Sequence, residues 1–164
     1  MLFKNFMSKN IPAVKFNVRG AGNSNGSRSW SAVAERKDIE FICDWLSKQT
    51  KIESIILIGY SYGSVLTSSV ASLPIVKAYA AISYPFGVLP FLFLRHLKDP
   101  AKIDKPKLFI TGDSDNFTGM SKWEKELNEF PAPLEKVIVE EVDHFWFGTE
   151  QKVFDKIFEW ISKL

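Results

Sequence analysis

The sequence is poor in cysteine and histidine, and it has no long uninterrupted apolar segment. Its 164 residues include 1 cysteine, Cys43, and 2 histidines, His96 and His144. One cysteine can form neither an intramolecular disulfide nor a thiolate metal cluster, so we expect no metal site and a reducing compartment. No apolar run reaches membrane-spanning length, and the first residues have too short an apolar stretch for a signal peptide. These absences favour a soluble cytoplasmic protein without a membrane partner.

The chain also has no large excess of either positive or negative charge. It has 21 basic and 19 acidic residues, for a formal net charge of +2, and they are spread along its length. This distribution gives no reason to expect a nucleic-acid partner. Residues 20–22 read Gly-Ala-Gly, but the Gly-Lys-Ser/Thr of a phosphate loop does not follow, so no nucleotide cofactor is expected. The length and the 46% hydrophobic content predict one globular domain over residues 1–164.

Strand-like and helical patterns alternate along the chain. Such alternation, with strands apolar on both faces, predicts an α/β fold: a mostly parallel sheet with helices on both of its faces. A capping box, Ser121 with Glu124, is expected to open the helix that carries Trp123 and Leu127. We predict strands at residues 13–18, 54–59, 75–83, 107–111 and 136–142, and helices at 2–9, 32–48, 64–71, from 121 onward and near the C-terminus.

Residues 59–63 read Gly-Tyr-Ser-Tyr-Gly and directly follow an apolar run at 54–58. This arrangement is typical of a nucleophile elbow, in which a serine occupies a strained strand-to-helix turn flanked by very small residues. Gly59 and Gly63 occupy the flanking positions. Ser61 is therefore the candidate nucleophile, and the alternative is a glycine-rich turn whose serine only caps the helix.

A serine nucleophile needs a base, and the base needs an acidic partner that fixes its tautomer. His144 follows the last predicted strand, at the carboxyl end where ligands bind in parallel sheets, whereas His96 lies in an apolar segment away from any strand end. The acid is expected in the turn after the strand at 107–111, where both Asp113 and Asp115 are available. The other aspartate would then cap the turn.

Taken in order, these motifs resemble those of the α/β-hydrolases, most of all the small ones related to dienelactone hydrolases and serine peptidase-like hydrolases. The resemblance implies Ser61 as nucleophile, Asp115 as the acid and His144 as the base, with the backbone N–H of Tyr62 as an oxyanion donor and no cofactor. The stretches that carry it are residues 16–24, 59–63, 112–115 and 143–145.

The same resemblance implies that the chain is N-terminally incomplete. Members of this fold carry two or three further strands and an oxyanion loop before the strand that matches residues 13–18. One of those strands normally lies between the strands matching 13–18 and 54–59. Without it, these two strands must pair directly, leave a gap or recruit another segment.

The function expected from these residues is serine hydrolysis of an ester or related acyl bond in a small-molecule substrate. The alternative is a non-catalytic α/β-hydrolase-like remnant that binds a ligand or a partner. An apolar stretch at residues 86–94 is expected to be either a lid over the substrate or simple core. The sequence indicates neither the substrate nor the oligomeric state.

Overall fold

The computed structural model describes residues 2–49, 52–87, 94, 96–97 and 101–164. From the second helix onward, helices and strands follow one another largely as the sequence predicts, except that no strand forms between the first two helices. The helices are α1 (Leu2–Ser8), α2 (Val33–Gln49), α3 (Tyr62–Ser69), α4 (Met120–Leu127) and α5 (Glu150–Ile161). The strands are β1 (Ile55–Tyr60), β2 (Val76–Ile82), β3 (Lys107–Gly112) and β4 (Leu134–Val139).

Within the described residues, the strands form one four-stranded sheet in the order β1-β2-β3-β4. All neighbouring pairs are parallel, with Gly59 opposite Ala81 in the first pair and Ile110 opposite Ile82 and Val137 in the others. The carboxyl ends of the strands therefore meet at one edge of the sheet, where ligands bind in open parallel sheets.

The sheet lies between two helical layers, which confirms the predicted α/β class. Side chains alternate along β2 and β3, so that Tyr79 and Phe109 face one layer while Ala80 and Leu108 face the other. The first layer contains α2, α3 and α4, with Ile39, Cys43, Val65, Leu66, Trp123 and Leu127 in its core. The second layer contains α1 and α5, with Phe6, Val153, Phe154, Ile157 and Trp160 in its core.

The strand predicted over residues 13–18 does not form. This segment makes no strand ladder, and the side chains of Val14 and Phe16 are 60% and 42% exposed. A strand requires a neighbouring strand to satisfy its backbone groups, and among the described residues β1 pairs only with β2. Of the arrangements expected for residues 13–18 and β1, direct pairing is therefore wrong.

Polar contacts attach the glycine-containing loop before α2 to that helix. The guanidinium of Arg19 donates two hydrogen bonds to the carboxylate of Asp38. The backbone N–H of Ser29 donates to Glu35 at 2.6 Å, and the Ser29 hydroxyl donates to the other oxygen of the same carboxylate. These contacts hold the glycine-containing loop against the start of α2.

Other predictions need smaller corrections. The capping box is wrong, because α4 begins at Met120 after Gly119 and has no side-chain cap, which places Ser121 inside the helix. The last strand lies at 134–139 instead of 136–142, because the chain turns where Glu141 adopts a φ of 58°.

The centre of the apolar stretch at 86–94 lies outside the described residues. Its described ends, Phe86 and Leu94, pack against the core.

Candidate active site

Ser61 lies in a sharp turn between β1 and α3. Its backbone has φ 49° and ψ −123°, a sparsely populated conformation that costs on the order of 1–3 kcal/mol in a residue other than glycine. The N–H of Ser61 donates to the carbonyl of Ile82 at 2.9 Å, which extends the pairing of β1 with β2 to the serine. The turn therefore fixes Ser61 at the carboxyl end of the sheet.

The two glycines that flank this turn are not equivalent. A Cβ added at Gly59 would lie 2.3 Å from Thr67 Oγ1 and 2.4 Å from the carbonyl oxygen of Gly63, so no side chain fits there. A Cβ added at Gly63 would meet no atom within 4 Å. The sequence-based expectation that both positions require a tiny residue is therefore wrong for Gly63, because that position of α3 faces open space.

Asp115 is positioned by a turn that follows β3 and packs tightly on the chain after β4. A Cβ added at Gly112 would lie 1.9 Å from the carbonyl oxygen of Val142, so glycine is required for this approach. The N–H of Ser114 donates to the same oxygen at 3.1 Å. The Oδ1 atom of Asp115 accepts a hydrogen bond from the N–H of Phe117 at 2.9 Å. The Oδ2 atom therefore remains available to a second hydrogen-bond donor.

His144 lies in the loop between β4 and α5, and neighbouring groups fix its backbone. The hydroxyl of Tyr60 donates to the His144 carbonyl oxygen at 2.8 Å. Two residues further on, the indole N–H of Trp146 donates to the Ser83 hydroxyl at 2.9 Å, which attaches the loop to the end of β2. Only 5% of His144 is exposed, so its ring is held between protein groups.

The structure brings Ser61, Asp115 and His144 together. The Nδ1 atom of His144 lies 2.9 Å from Oδ2 of Asp115, and its Nε2 atom lies 2.9 Å from the Ser61 hydroxyl oxygen. The tautomer with its proton on Nδ1 donates to the carboxylate and leaves Nε2 able to accept the serine proton. This path of hydrogen bonds can transfer a proton away from the serine.

The competing residues considered from the sequence lie elsewhere. Asp113 is exposed and accepts a hydrogen bond from the Ser114 hydroxyl at 3.0 Å, while His144 contacts Asp115. His96 is exposed. The backbone N–H of Tyr62 belongs to the first turn of α3, where N–H groups have no acceptor within the helix.

Sequence reasoning did not identify the aromatic residues that surround the histidine. The ring of Phe117 stacks on the His144 imidazole with centroids 4.1 Å apart, and the rings of Tyr60 and Phe145 lie 5.5 and 5.7 Å from it. Burial, followed by the negative charges of Asp115 and Asp143, raises the pKa of Tyr60 and keeps its hydroxyl protonated as a donor. The available signal was proximity in sequence, because Tyr60 and Phe145 adjoin the nucleophile and the base, and Phe117 lies two residues after the acid.

Nothing in the described residues suggests a metal centre. No group of three or more histidine, cysteine, aspartate or glutamate side chains lies together in that part of the chain. Cys43 is buried in the core beneath α2, where burial, with the nearby charge of Glu40, raises the pKa of its thiol. No helix among the described residues is both long and apolar enough to cross a membrane.

The sequence profile of the dienelactone hydrolase family matches residues 25–159. This chain belongs to the dienelactone hydrolase family. The match spans the elbow, the turn after β3 and the loop that carries His144, and membership indicates a hydrolase. No curated protein matches the chain.

Solved structures of α/β hydrolases share the fold. An α/β serine hydrolase homologue from Coxiella burnetii has a TM-score of 0.81 at 23% identity, with coverage of 94% of this chain and 71% of that one. A putative α/β hydrolase from Agrobacterium tumefaciens gives 0.79 at 20% identity, with 99% and 74% covered. A serine hydrolase without a lid from Xanthomonas campestris gives 0.75 at 19% identity, with 90% and 64% covered. The sheet and its helices are therefore those of the α/β-hydrolase fold.

Proposed function

We propose that this chain is a serine hydrolase that cleaves an ester or a related acyl bond of a small molecule. The observation that carries the proposal is the unbroken hydrogen-bond path from Ser61 through His144 to Asp115, with both distances at 2.9 Å. Membership of a hydrolase family supports the same reaction class.

In the proposed reaction, His144 Nε2 accepts the proton of Ser61 as its oxygen attacks the acyl carbon. The carboxylate of Asp115 stabilises the imidazolium that forms. The tetrahedral intermediate collapses, the bond to the leaving alkoxide breaks, and His144 returns the proton to that alkoxide. Water then attacks the acyl-enzyme with the same base, which releases the acid and regenerates the serine.

The negative charge that develops on the carbonyl oxygen needs hydrogen-bond donors. We assign one of them to the backbone N–H of Tyr62, which follows the nucleophile and lies at the N-terminus of α3. The positive end of the helix dipole supports a negative charge at this position. No metal or cofactor takes part in this scheme.

The proposal is tested by labelling with a fluorophosphonate, which phosphonylates activated serine hydroxyls. We expect the folded chain to become labelled at Ser61, and Ser61→Ala to lose the label completely. Ser162→Ala is the matched control and should label like the original chain, because Ser162 lies at the exposed end of α5. Labelling that persists in Ser61→Ala would contradict the assignment. A folded chain that takes no label would favour a hydrolase-like remnant that only binds a ligand or a partner.

A further inference from the structure

Three phenylalanines form an exposed row beside the candidate active site. Phe117 follows the acid and Phe145 follows the base, and their rings pack edge to face at 6.1 Å. The ring of Phe147 stacks on Phe145 at 5.9 Å. The row Phe117-Phe145-Phe147 is therefore continuous in space although it comes from two separate loops.

The row exposes a continuous apolar surface. Phe117, Phe145 and Phe147 are 55%, 53% and 82% exposed. A phenylalanine contributes about 150–250 Å² when buried, so the row leaves on the order of 300–400 Å² of aromatic surface in water. That area is comparable to the largest apolar patch of a typical soluble monomer, and such patches are often binding sites.

The position of the row points to a substrate rather than to a distant partner. Phe117 stacks directly on the imidazole of His144 at 4.1 Å, and that imidazole contacts the Ser61 hydroxyl. A group bonded to an acyl carbon at Ser61 can therefore reach the row without leaving the protein surface. An ester whose apolar part lies on these rings would remove both surfaces from water.

The acidic residues that precede Phe145 in sequence disfavour an anionic ligand. Asp143, Glu140 and Glu141 are exposed in this segment. The carboxylate of Asp143 accepts a hydrogen bond from the N–H of Phe145. Asp143 is also close enough to the site to affect the pKa of Tyr60. Like charges would repel a carboxylate-bearing substrate or an anionic lipid surface.

We propose that the row Phe117-Phe145-Phe147 binds the alkyl or aryl part of an uncharged ester while Ser61 attacks its carbonyl. This inference rests on the proposed function and adds the substrate class to it. A neutral lipid surface is the competing occupant, and the test below separates the two.

The test compares three soluble esters in a pH-stat: ethyl acetate, ethyl hexanoate and hexyl acetate. The two longer esters each add four methylenes, one on the acyl side and the other on the alcohol side. Partial removal of four methylenes from water should raise kcat/KM about tenfold over ethyl acetate for at least one of them. The side that shows the increase is the side that contacts the row.

The variants are the double variant Phe145→Ala with Phe147→Ala and the conservative variant Phe145→Leu. We expect the double variant to reduce the tenfold advantage to about threefold or less, and Phe145→Leu to retain most of it because leucine remains apolar. The advantage is the ratio of kcat/KM for a longer ester to kcat/KM for ethyl acetate, both measured on the same variant. Any loss of activity that is common to all esters therefore cancels. Phe41→Ala is the control and should leave the ratio unchanged, because Phe41 is 68% exposed on α2 and outside the row.

The outcomes separate the inference from the function on which it rests. If the chain hydrolyses the esters but the ratio is the same in the double variant, the row does not bind substrate and only the inference fails. If the ratio is unchanged and the original chain, unlike the double variant, sediments with phosphatidylcholine vesicles, the row binds a neutral lipid surface instead. If the original chain neither hydrolyses an ester nor takes the fluorophosphonate label, both the function and the inference are overturned.

Discussion

β1 and β3 have similar apolar sequences, but the structure surrounds them differently. β3 lies between β2 and β4, and all six of its residues are buried. Within the described residues β1 pairs with β2 alone, and Ile55, Ile56, Leu57 and Ile58 are only partly buried. A strand that is apolar on both faces is typical of the interior of a sheet, so β1 has an interior sequence at an edge position.

The same contrast separates the two ends of the chain. Most side chains of the two apolar cores come from α2 onward, and Phe6 is the core residue contributed by α1. Much of the segment before α2 is exposed, and its loop is attached by the Arg19–Asp38 pair and by the bonds between Ser29 and Glu35. Burial of a whole apolar core contributes far more free energy than a few partly buried polar contacts do. We therefore expect the part from β2 onward to be the more stable part of the molecule.

The candidate site lies where these two parts meet. Asp115 and His144 come from the well-packed part, after β3 and β4, whereas Ser61 directly follows β1, which lies at the edge of the sheet formed by the described residues. The hydrogen bond from the Ser61 N–H to Ile82 attaches the nucleophile to β2. The geometry of the site thus depends on the pairing of β1 with its single described neighbour.

The largest expected effect concerns the acid contributed by the well-packed part. Asp115→Asn should lower kcat for ester hydrolysis by about 10³–10⁴-fold, because an amide cannot stabilise the imidazolium and favours the wrong tautomer of His144. Thermal unfolding should change little, since the amide keeps the shape of the carboxylate.

Asp113→Asn is the matched control, two residues away in the same turn. It should retain kcat within about twofold, because Asp113 is exposed and contacts only the Ser114 hydroxyl among the described side chains. Equal losses in Asp113→Asn and Asp115→Asn would mean that the turn as a whole, and not one carboxylate, supports His144.

A pair of core substitutions tests the contrast between β1 and β3 directly. Phe109→Ala in β3 should lower the free energy of unfolding by about 3–5 kcal/mol, because Phe109 is fully buried among Tyr79, Tyr84 and Phe130. Leu57→Ala in β1 should cost less than the 2–5 kcal/mol of a fully buried leucine, because Leu57 is already partly exposed. Urea unfolding monitored by circular dichroism gives both values. A loss of unfolding free energy in Leu57→Ala as large as that in Phe109→Ala would show that the side chains of β1 are fully buried in solution.

The sequence predicted the parts of this structure that depend on local signals. These signals involve only residues that are close together in sequence: the helix and strand periodicity, the apolar run before Ser61 and the glycines of the turns. They were sufficient to predict the α/β class. The strand at 13–18 was predicted wrongly, because pairing depends on a neighbour that its own residues do not specify. The difference between Gly59 and Gly63 depends on atoms of α3 that pack back on the turn.

The candidate site shows the same division. The parallel strand order brings the turn after β3 and the loop after β4 to one edge, so Ser61 and His144 could be selected from their places after strands. That place left both aspartates of the turn open, and the choice of Asp115 came from the resemblance to the α/β-hydrolases. The stacking of Phe117 on His144 and the row that continues to Phe147 could not be derived in this way. Ring packing between two loops depends on loop conformations that no periodic pattern encodes.

The smallest expected effect concerns the polar attachment of the N-terminal part. Burial opposes the ionisation of Glu35, but hydrogen bonds from the Ser29 hydroxyl and N–H outweigh it and lower the pKa of this carboxyl below 4.5. Glu35→Gln should therefore reduce the free energy of unfolding at pH 7 by about 1–2 kcal/mol, because bonds to a charged acceptor become bonds to a neutral one. Asp44→Asn on the same helix is the control and should cost about 0.5 kcal/mol or less, since its pair with Lys48 is exposed.

The pH dependence distinguishes a charged contact from simple packing at Glu35. A carboxyl whose pKa is lower in the folded than in the unfolded chain stabilises the fold above pH 4.5, and this contribution is lost as the pH falls through the folded pKa. The stability difference between the original chain and Glu35→Gln should thus be constant from pH 7 to about 5.5 and shrink below 4.5, as measured by urea unfolding at several pH values. A difference that stays constant down to pH 3 would mean that Glu35 stabilises the loop through its shape alone, and that the charge of this carboxylate does not hold the loop on α2.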